Sequence, residues 1–178
     1  PDYLNAAAEG GFLDVIMLAF NPFYPPGGPL DKALDAAHKA GIGLVAMKTM
    51  RSSKDVPKRL PELDKLGLTT HQAVLQAAWS DPRISVICNM IDNVDQMQNS
   101  TAAARSYKEP LKFAHLELLR ETILAGRRTM CTGCPACEAF ARQTDFAFQD
   151  IARFVTYYEQ DGNTEARDYY LELAKEHR

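Results

Sequence analysis

Three short apolar runs in the first half of the chain predict β-strands. They cover residues 15–20, Gly43–Met47 and Ile84–Cys88, and their apolar character is largely continuous rather than alternating with polar positions. Continuous apolar strands are typical of a parallel sheet that helices cover on both sides. The pattern therefore predicts three parallel strands that are buried on both faces.

Segments with helical periodicity separate and follow these strands. Pro29 stands where a first helical turn tolerates proline, ahead of an apolar stripe through Leu34. Thr69 and Gln72 form a predicted capping box, and Asn93 is the predicted N-cap of a third helix. The order is therefore β-α-β-α-β-α, with strands that begin roughly 30 to 40 residues apart, as in repeated right-handed βα units.

The pattern changes after Pro110, where the strand signals stop. Residues 111–125 predict one helix, a cysteine cluster follows, and two further helices are predicted nearer the end of the chain. We therefore predict two parts, an α/β part over residues 1–108 and an all-helical extension over residues 109–178.

Three parallel strands are few for a self-contained α/β fold, because an open sheet of this size leaves two edges unpaired. A closed barrel of eight βα units removes both edges, and this chain supplies three of the eight strands. The predicted fold class is α/β: the C-terminal part of a (β/α)8 barrel, followed by the helical extension.

Composition and charge narrow the functional classes. The chain has 178 residues, of which 46% are hydrophobic and 24% charged, as in folded globular proteins. Its net charge of -3 argues against a broad surface for nucleic acid or anionic membranes, and its longest apolar stretch is too short to span a bilayer. The chain begins at Pro1 without a visible targeting signal. We interpret it as a fragment or a processed product, and a cytoplasmic location is slightly favoured.

Three segments of the first 105 residues resemble strands six to eight, with their helices, of the aldo/keto reductase family. They read DVIMLAFNPFYP, LDKALDAAHKAGIGLVAMKTM and THQAVLQAAWSDPRISVICNMIDNVDQMQNSTAA, in the order and spacing of that family. AMKTM resembles the end of strand seven in the branch that carries a C-terminal, ferredoxin-type cysteine-rich extension. CTGCPACE resembles the start of that extension.

The resemblance implies an oxidoreductase that transfers hydride between a nicotinamide cofactor, NAD or NADP, and a small carbonyl or alcohol substrate. In that family a Tyr, a Lys, an Asp and a His on the first half of the barrel perform catalysis. The matching segments would lie before Pro1, so no catalytic residue is assigned in this chain. The 178 residues alone are expected to be inactive, because hydride transfer to a carbonyl needs a proton donor within reach of its oxygen.

The resemblance also implies that residues at the ends of the second and third strands bind the cofactor. Met47 occupies the place where family members usually hold an aromatic ring against nicotinamide, and Asn99 matches the Asn that approaches the adenine. The full set of implied cofactor-binding residues is Met47, Lys48, Thr49, Asn89, Met90 and Asn99.

Three positions depart from the family pattern. Met17 replaces the amide side chain that many members use to hold the nicotinamide carboxamide. Asn89 stands where a basic residue often meets the 2′-phosphate, and Asp95 lies near a second such position. A carboxylate repels phosphate, so a strong preference for NADPH is not expected.

Lys48 also belongs to a basic run with an ordinary alternative explanation. The run consists of Lys48, Arg51, Lys54, Lys58 and Arg59. It is either a solvated loop or a group of cations that lies over a pyrophosphate.

Cys131, Cys134 and Cys137 have the spacing of the first three ligands of a bacterial iron–sulfur run. The fourth ligand of such a run would fall at position 141, which is Ala141. The cluster predicts an iron–sulfur or zinc site, with structural or remnant thiols as the alternative. Cys88, on the third strand, is the only other thiol in the chain, and its ordinary interpretation is a buried small hydrophobe. A fourth cysteine beyond Arg178 is the other alternative for a missing ligand.

Two rival functions follow from these observations. The first is an aldo/keto reductase-type oxidoreductase, of which this chain contains the part from strand six onward. The second is an electron-transfer or interaction module that binds iron–sulfur or zinc on a non-catalytic barrel, and an inactive homologue is a third alternative. If the chain is a partial barrel, its open sheet edges are expected to drive self-association or to require a partner such as a missing N-terminal half.

Overall fold

The computed structural model describes residues 1–24, 26–50, 56–126, 137, 146–159 and 162–173. The chain divides into two compact units, Pro1–Ile123 and Leu124–Arg178. The boundary predicted after residue 108, between a barrel part and an extension, stays a prediction.

The first unit contains three strands and six helices in its described part. The elements are, in chain order, α1 (Asp2–Gly10), β1 (Val15–Ala19), α2 (Pro29–Lys39), β2 (Gly43–Met47), α3 (Pro61–Asp64), α4 (Thr70–Trp79), β3 (Ile84–Cys88), α5 (Val94–Ser106) and α6 (Phe113–Gly126), the last of which ends just beyond the unit boundary. The described part of the second unit contains α7 (Phe148–Glu159) and α8 (Glu165–Glu172). None of the helices in the described residues is both long and apolar enough to cross a bilayer.

The three strands form one parallel sheet in the order β1-β2-β3. The predicted strand order and direction are therefore confirmed. Ile16 pairs with Leu44 and Leu18 with Ala46, and the register between β2 and β3 shifts after Leu44.

One face of the sheet, the core face, carries the hydrophobic core. Its members are Ile16, Leu18, Leu44, Ala46, Ile84 and Ile87, and residues of α1, α2 and α4 pack against them. Ala33, Ala37 and Ala78 are almost fully buried there. Small side chains let the helix backbones approach the sheet closely, which suits the close packing of protein interiors.

The opposite face, the open face, consists of Val15, Met17, Ala19, Gly43, Val45, Met47, Val86 and Cys88. Val15, Met17 and Val86 are 58%, 53% and 52% exposed. The prediction that the strands are buried on both faces is therefore wrong. Residues of β1 and β2 alternate strictly between the two faces, and, among the described residues, the helices that pack on the sheet do so at its core face.

The predicted helix signals are confirmed. Pro29 is in the first turn of α2. The Thr69 hydroxyl accepts from the Gln72 N–H at 3.1 Å, and the Gln72 side chain accepts from the Thr69 N–H at 2.9 Å. Asn93 caps α5 by accepting from the Gln96 N–H at 2.9 Å. These local contacts satisfy helix amides that have no partner within the helix.

Candidate functional site

The three parallel strands end at one edge of the sheet, the carboxyl edge. Ala19, Met47 and Cys88 are neighbours across the strands there. The Phe20 N–H donates to the Met47 carbonyl at 3.0 Å, which continues the pairing of β1 and β2 by one residue. Ligand sites of parallel α/β folds lie at this edge, because the loops that follow the strands meet there.

Met47 and Cys88 supply the open-face side chains nearest the carboxyl edge. Met47 is half-buried, whereas Cys88 is exposed. The interpretation of Cys88 as a buried hydrophobe is wrong, because its strand position places it on the open face. The two side chains give the edge an apolar, polarizable surface.

The backbone turns sharply at Lys48, directly after the end of β2. Its φ of 59° lies in the left-handed region, which non-glycine residues seldom occupy. The Lys48 side chain is exposed, whereas Thr49 directly after it is buried at 2% exposure. The turn therefore separates these two candidates: the ammonium faces solvent at the edge, and the threonine belongs to the interior.

Asn89 and Asn99 take part in two sets of polar contacts, one between β3 and α5 and one between α4 and α5. The Asn89 amide donates to the Ser100 hydroxyl at 3.3 Å. The Thr69 hydroxyl lies 3.5 Å from the Asn99 side-chain oxygen, and the Gln72 amide donates to the Asn99 carbonyl at 3.4 Å. The two candidates therefore do not contact each other in these hydrogen bonds, although Asn89 bonds Ser100, the residue directly after Asn99. Met90 is 81% exposed beside them.

The first turn of α5 follows β3 at the carboxyl edge, a position that favours anion binding, but its own contacts oppose a bound anion. The Asn93 side chain already accepts from the Gln96 N–H, and the Gln96 side chain accepts from the Asp92 N–H at 2.8 Å. Asp95 lies exposed in the same turn. Its carboxylate interacts favourably with the helix dipole and therefore opposes a bound phosphate.

Only part of the basic run lies within the described residues, because Arg51 and Lys54 are outside them. Arg59 pairs with Asp64 at 2.6 Å, with both side chains well exposed. This exposed pair is what the solvated-loop explanation predicts for Arg59.

The cysteine cluster lies almost entirely outside the described residues. Cys131, Cys134 and Ala141 are not among them, and Cys137 is exposed. Within the described ranges, no group of three or more His, Cys, Asp or Glu side chains is arranged to hold a metal ion. The metal site stays a prediction.

One cluster was missed by the sequence analysis. The cluster, which we call the Arg83 network, consists of Tyr24, Asp31, Asp35, Asp81 and Arg83. It joins the loop after β1 to α2 and to the turn between α4 and β3. Its members are far apart in sequence, and no short-range pattern connects them. The only local signal is the Asp81-Pro82-Arg83 turn.

Charges and burial within this network set its protonation states. Burial, and then the hydrogen bond to Asp81, raise the pKa of the Tyr24 hydroxyl, which therefore stays protonated and donates. Burial alone would raise the pKa of the Asp81 carboxyl, but hydrogen bonds from Arg83 and Tyr24 lower it overall. The hydrogen bond to Asp81 is the main cause that raises the pKa of Arg83.

His71, in the first turn of α4, is a partly buried histidine that is expected to make the stability of the fold depend on pH. Burial lowers the pKa of its imidazole below the ordinary value of 6.5, and its Nε2 atom is buried without a hydrogen-bond partner among the described residues. The unfolded chain therefore takes up this proton at a higher pH than the folded chain. The His71 contribution is constant above its ordinary pKa, and the free energy of unfolding falls as the pH drops below it.

We expect His71→Gln to flatten the pH dependence of urea unfolding below about pH 6.5, where the unfolded chain takes up the His71 proton first. The matched control is His38→Gln, which substitutes an exposed histidine on α2. A change of slope as large as that in His71→Gln would show that the burial of His71 is not the cause. An unchanged slope in His71→Gln would contradict the assignment.

Comparisons with known proteins give no relative for this chain: no family model, no curated protein and no solved structure matches it.

Proposed function

We propose that this chain forms the cofactor-binding part of an NAD(P)-dependent oxidoreductase of aldo/keto reductase type. The observation that carries the proposal is the sheet itself. Its strands lie in sequential, parallel order, the helices that pack on it cover the core face, and the open face exposes apolar side chains.

This arrangement fits a barrel segment better than a doubly wound sheet. A doubly wound sheet reverses its strand order and carries helices on both faces. In a barrel, each strand is followed by a helix on the outside, and inward-facing side chains fill the interior. Val15, Met17 and Val86 would then be interior side chains, which explains why apolar residues stand on the open face.

The residues at the carboxyl edge fit a nicotinamide dinucleotide. Met47 and Met90 offer apolar surface for a flat ring, Lys48 offers an exposed ammonium for a phosphate, and Asn89 offers an amide. When bound, the cofactor supplies or accepts hydride. The residues of this chain bind and orient it, and the proton donor is expected on a preceding half-barrel, as the resemblance implies.

Tyr24 does not fill the role of proton donor. Its hydroxyl donates to Asp81 at 2.8 Å and accepts from Arg83, so it is engaged within the Arg83 network. Tyr107, at the C-terminal end of α5, donates to the Trp79 carbonyl at 2.7 Å. We therefore expect the purified 178-residue chain to show no carbonyl reduction, and measurable turnover would overturn this expectation.

The direct test of the proposal is calorimetric titration of the protein with NADH and with NADPH. We expect saturable binding of at least one of them. Lack of saturable binding of both would reject the oxidoreductase function.

Asp95 provides a sharper test of cofactor preference. Asp95→Asn removes a carboxylate from the first turn of α5, and we expect the affinity for NADPH to rise relative to NADH by about two- to fivefold. The matched control is Asp92→Asn, which removes an exposed carboxylate three residues earlier. If both variants change the ratio equally, a general charge effect explains the result and Asp95 does not face the 2′ position.

The cysteine spacing supports the second candidate, a module that binds an iron–sulfur cluster or zinc. Metal analysis and visible absorbance of anaerobically purified protein test it. Metal-free protein in which all four cysteines are freely alkylated would reject it.

A further inference from the structure

We propose that Arg83 is a positioning residue for the carboxyl edge, acting through Tyr24 and Phe20 on Met47. The inference rests on the proposed function, because the edge that it holds in place is the proposed nicotinamide site. Arg83 itself lies in the turn before β3 and belongs to none of the proposed cofactor-binding residues.

Arg83 is held by three carboxylates. Its Nε and Nη2 atoms donate to the two oxygens of Asp81 at 2.8 and 2.7 Å, a bidentate pair in which both side chains are only 12% exposed. Its guanidinium also lies 2.7 Å from a carboxylate oxygen of Asp31 and of Asp35, both on α2. Because the planar guanidinium fork donates hydrogen bonds to several carboxylates at once, it fixes both its own position and theirs.

Tyr24 is the connection from this fork to the loop after β1. Its hydroxyl donates to Asp81 at 2.8 Å and accepts from Arg83. Its ring packs edge-to-face on Phe20, with 5.6 Å between the ring centroids. Aromatic pairs of this geometry are favourable beyond the area that they bury.

Phe20 connects Tyr24 to Met47. Its side chain is 2% exposed, and its N–H donates to the Met47 carbonyl at 3.0 Å. A displacement of Phe20 therefore moves or breaks a backbone hydrogen bond of the residue that we place against nicotinamide.

The loop needs such an anchor because its backbone has little regular structure of its own. Between β1 and α2 it contains Pro22, Pro26, Gly27 and Gly28, and the hydrogen bond from the Gly27 N–H to Asp31 at 2.7 Å is a second contact with the same network. Side-chain anchors, rather than a backbone ladder, determine where this loop lies.

The test compares Arg83→Lys, Tyr24→Phe and wild type. Arg83→Lys keeps the charge but loses the fork, and Tyr24→Phe keeps the ring but loses the hydroxyl. We expect both variants to weaken nicotinamide cofactor binding, Arg83→Lys by roughly tenfold or more. We also expect faster amide exchange at Phe20, with exchange within the middle of β2 unchanged.

The matched control is Leu63→Ala, which truncates a fully buried side chain on α3, outside the core cluster that contains Phe20. If cofactor affinity and Phe20 exchange follow thermal stability alone, Leu63→Ala will change them as much as Arg83→Lys does, and the inference is overturned. Wild-type binding that neither Arg83→Lys nor Tyr24→Phe alters would also overturn it while leaving the oxidoreductase proposal intact. Failure of the wild type to bind any nicotinamide cofactor rejects the proposed function and this inference together.

Discussion

Substituting the exposed apolar residues of the open face with polar ones is expected to reduce self-association of the chain. The variant is Val15→Thr, Met17→Gln and Val86→Thr. These side chains are more than half exposed, and burying such apolar surface against another copy is favourable in water. We expect wild type to associate with rising concentration and the triple variant to shift toward a single chain, as measured by light scattering after size exclusion.

A control must separate the open face from general surface hydrophobicity. Tyr3→Gln, Phe12→Gln and Phe113→Gln remove three exposed aromatic side chains that are not on the sheet, with exposures of 89%, 74% and 77%. This variant should associate as the wild type does. A wild type that stays monomeric at every concentration would show that the open face does not drive association.

Truncating the core face should have the largest effect on stability. Leu44, on the central strand, is fully buried against the helices of the core face, so Leu44→Ala leaves a cavity where it packed. We expect the free energy of unfolding to fall by about 2–5 kcal/mol. Urea unfolding monitored by circular dichroism measures it.

Val86→Ala is the comparison on the other face of the sheet. Val86 is 52% exposed, and we expect its truncation to cost only about 0.5 kcal/mol. The comparison is made at a concentration at which light scattering shows a single chain, so that no second copy covers the open face. Equal losses in the two variants under that condition would contradict the one-sided core of the described residues.

The two faces explain why a barrel segment is the proposed context. Apolar residues on an uncovered face are costly in water, yet Val15, Met17 and Val86 are placed there. An enclosed barrel interior would give these side chains the apolar surroundings that the helices give to Leu44.

The sequence was informative wherever the cause of a structure is local. The Thr69–Gln72 capping box and the Asn93 cap join residues three positions apart, and both were predictable from residue type alone. The three strands followed from apolar runs. Whether one or both faces of the sheet are covered by helices did not follow from them. A continuous apolar strand has the same sequence pattern in both cases.

The candidate site was only partly predictable. Met47, Lys48 and Asn89 are candidates because of the resemblance, and their role stays a prediction. Their positions at or just after strand ends agree with the strands that the sequence predicts. The burial of Thr49 beside an exposed Lys48 depends on the left-handed backbone conformation of Lys48. The residue types do not predict that conformation.

By itself, the sequence determined the order of the strands and helices and the helix caps, because each depends on residues that are neighbours along the chain. Only the tertiary structure showed that the core lies on one side of the sheet and that Arg83 joins Tyr24 across 59 positions to Asp31 and Asp81. Contacts of that kind form when folding brings distant segments together, so their energies depend on geometry that no local pattern of residues encodes.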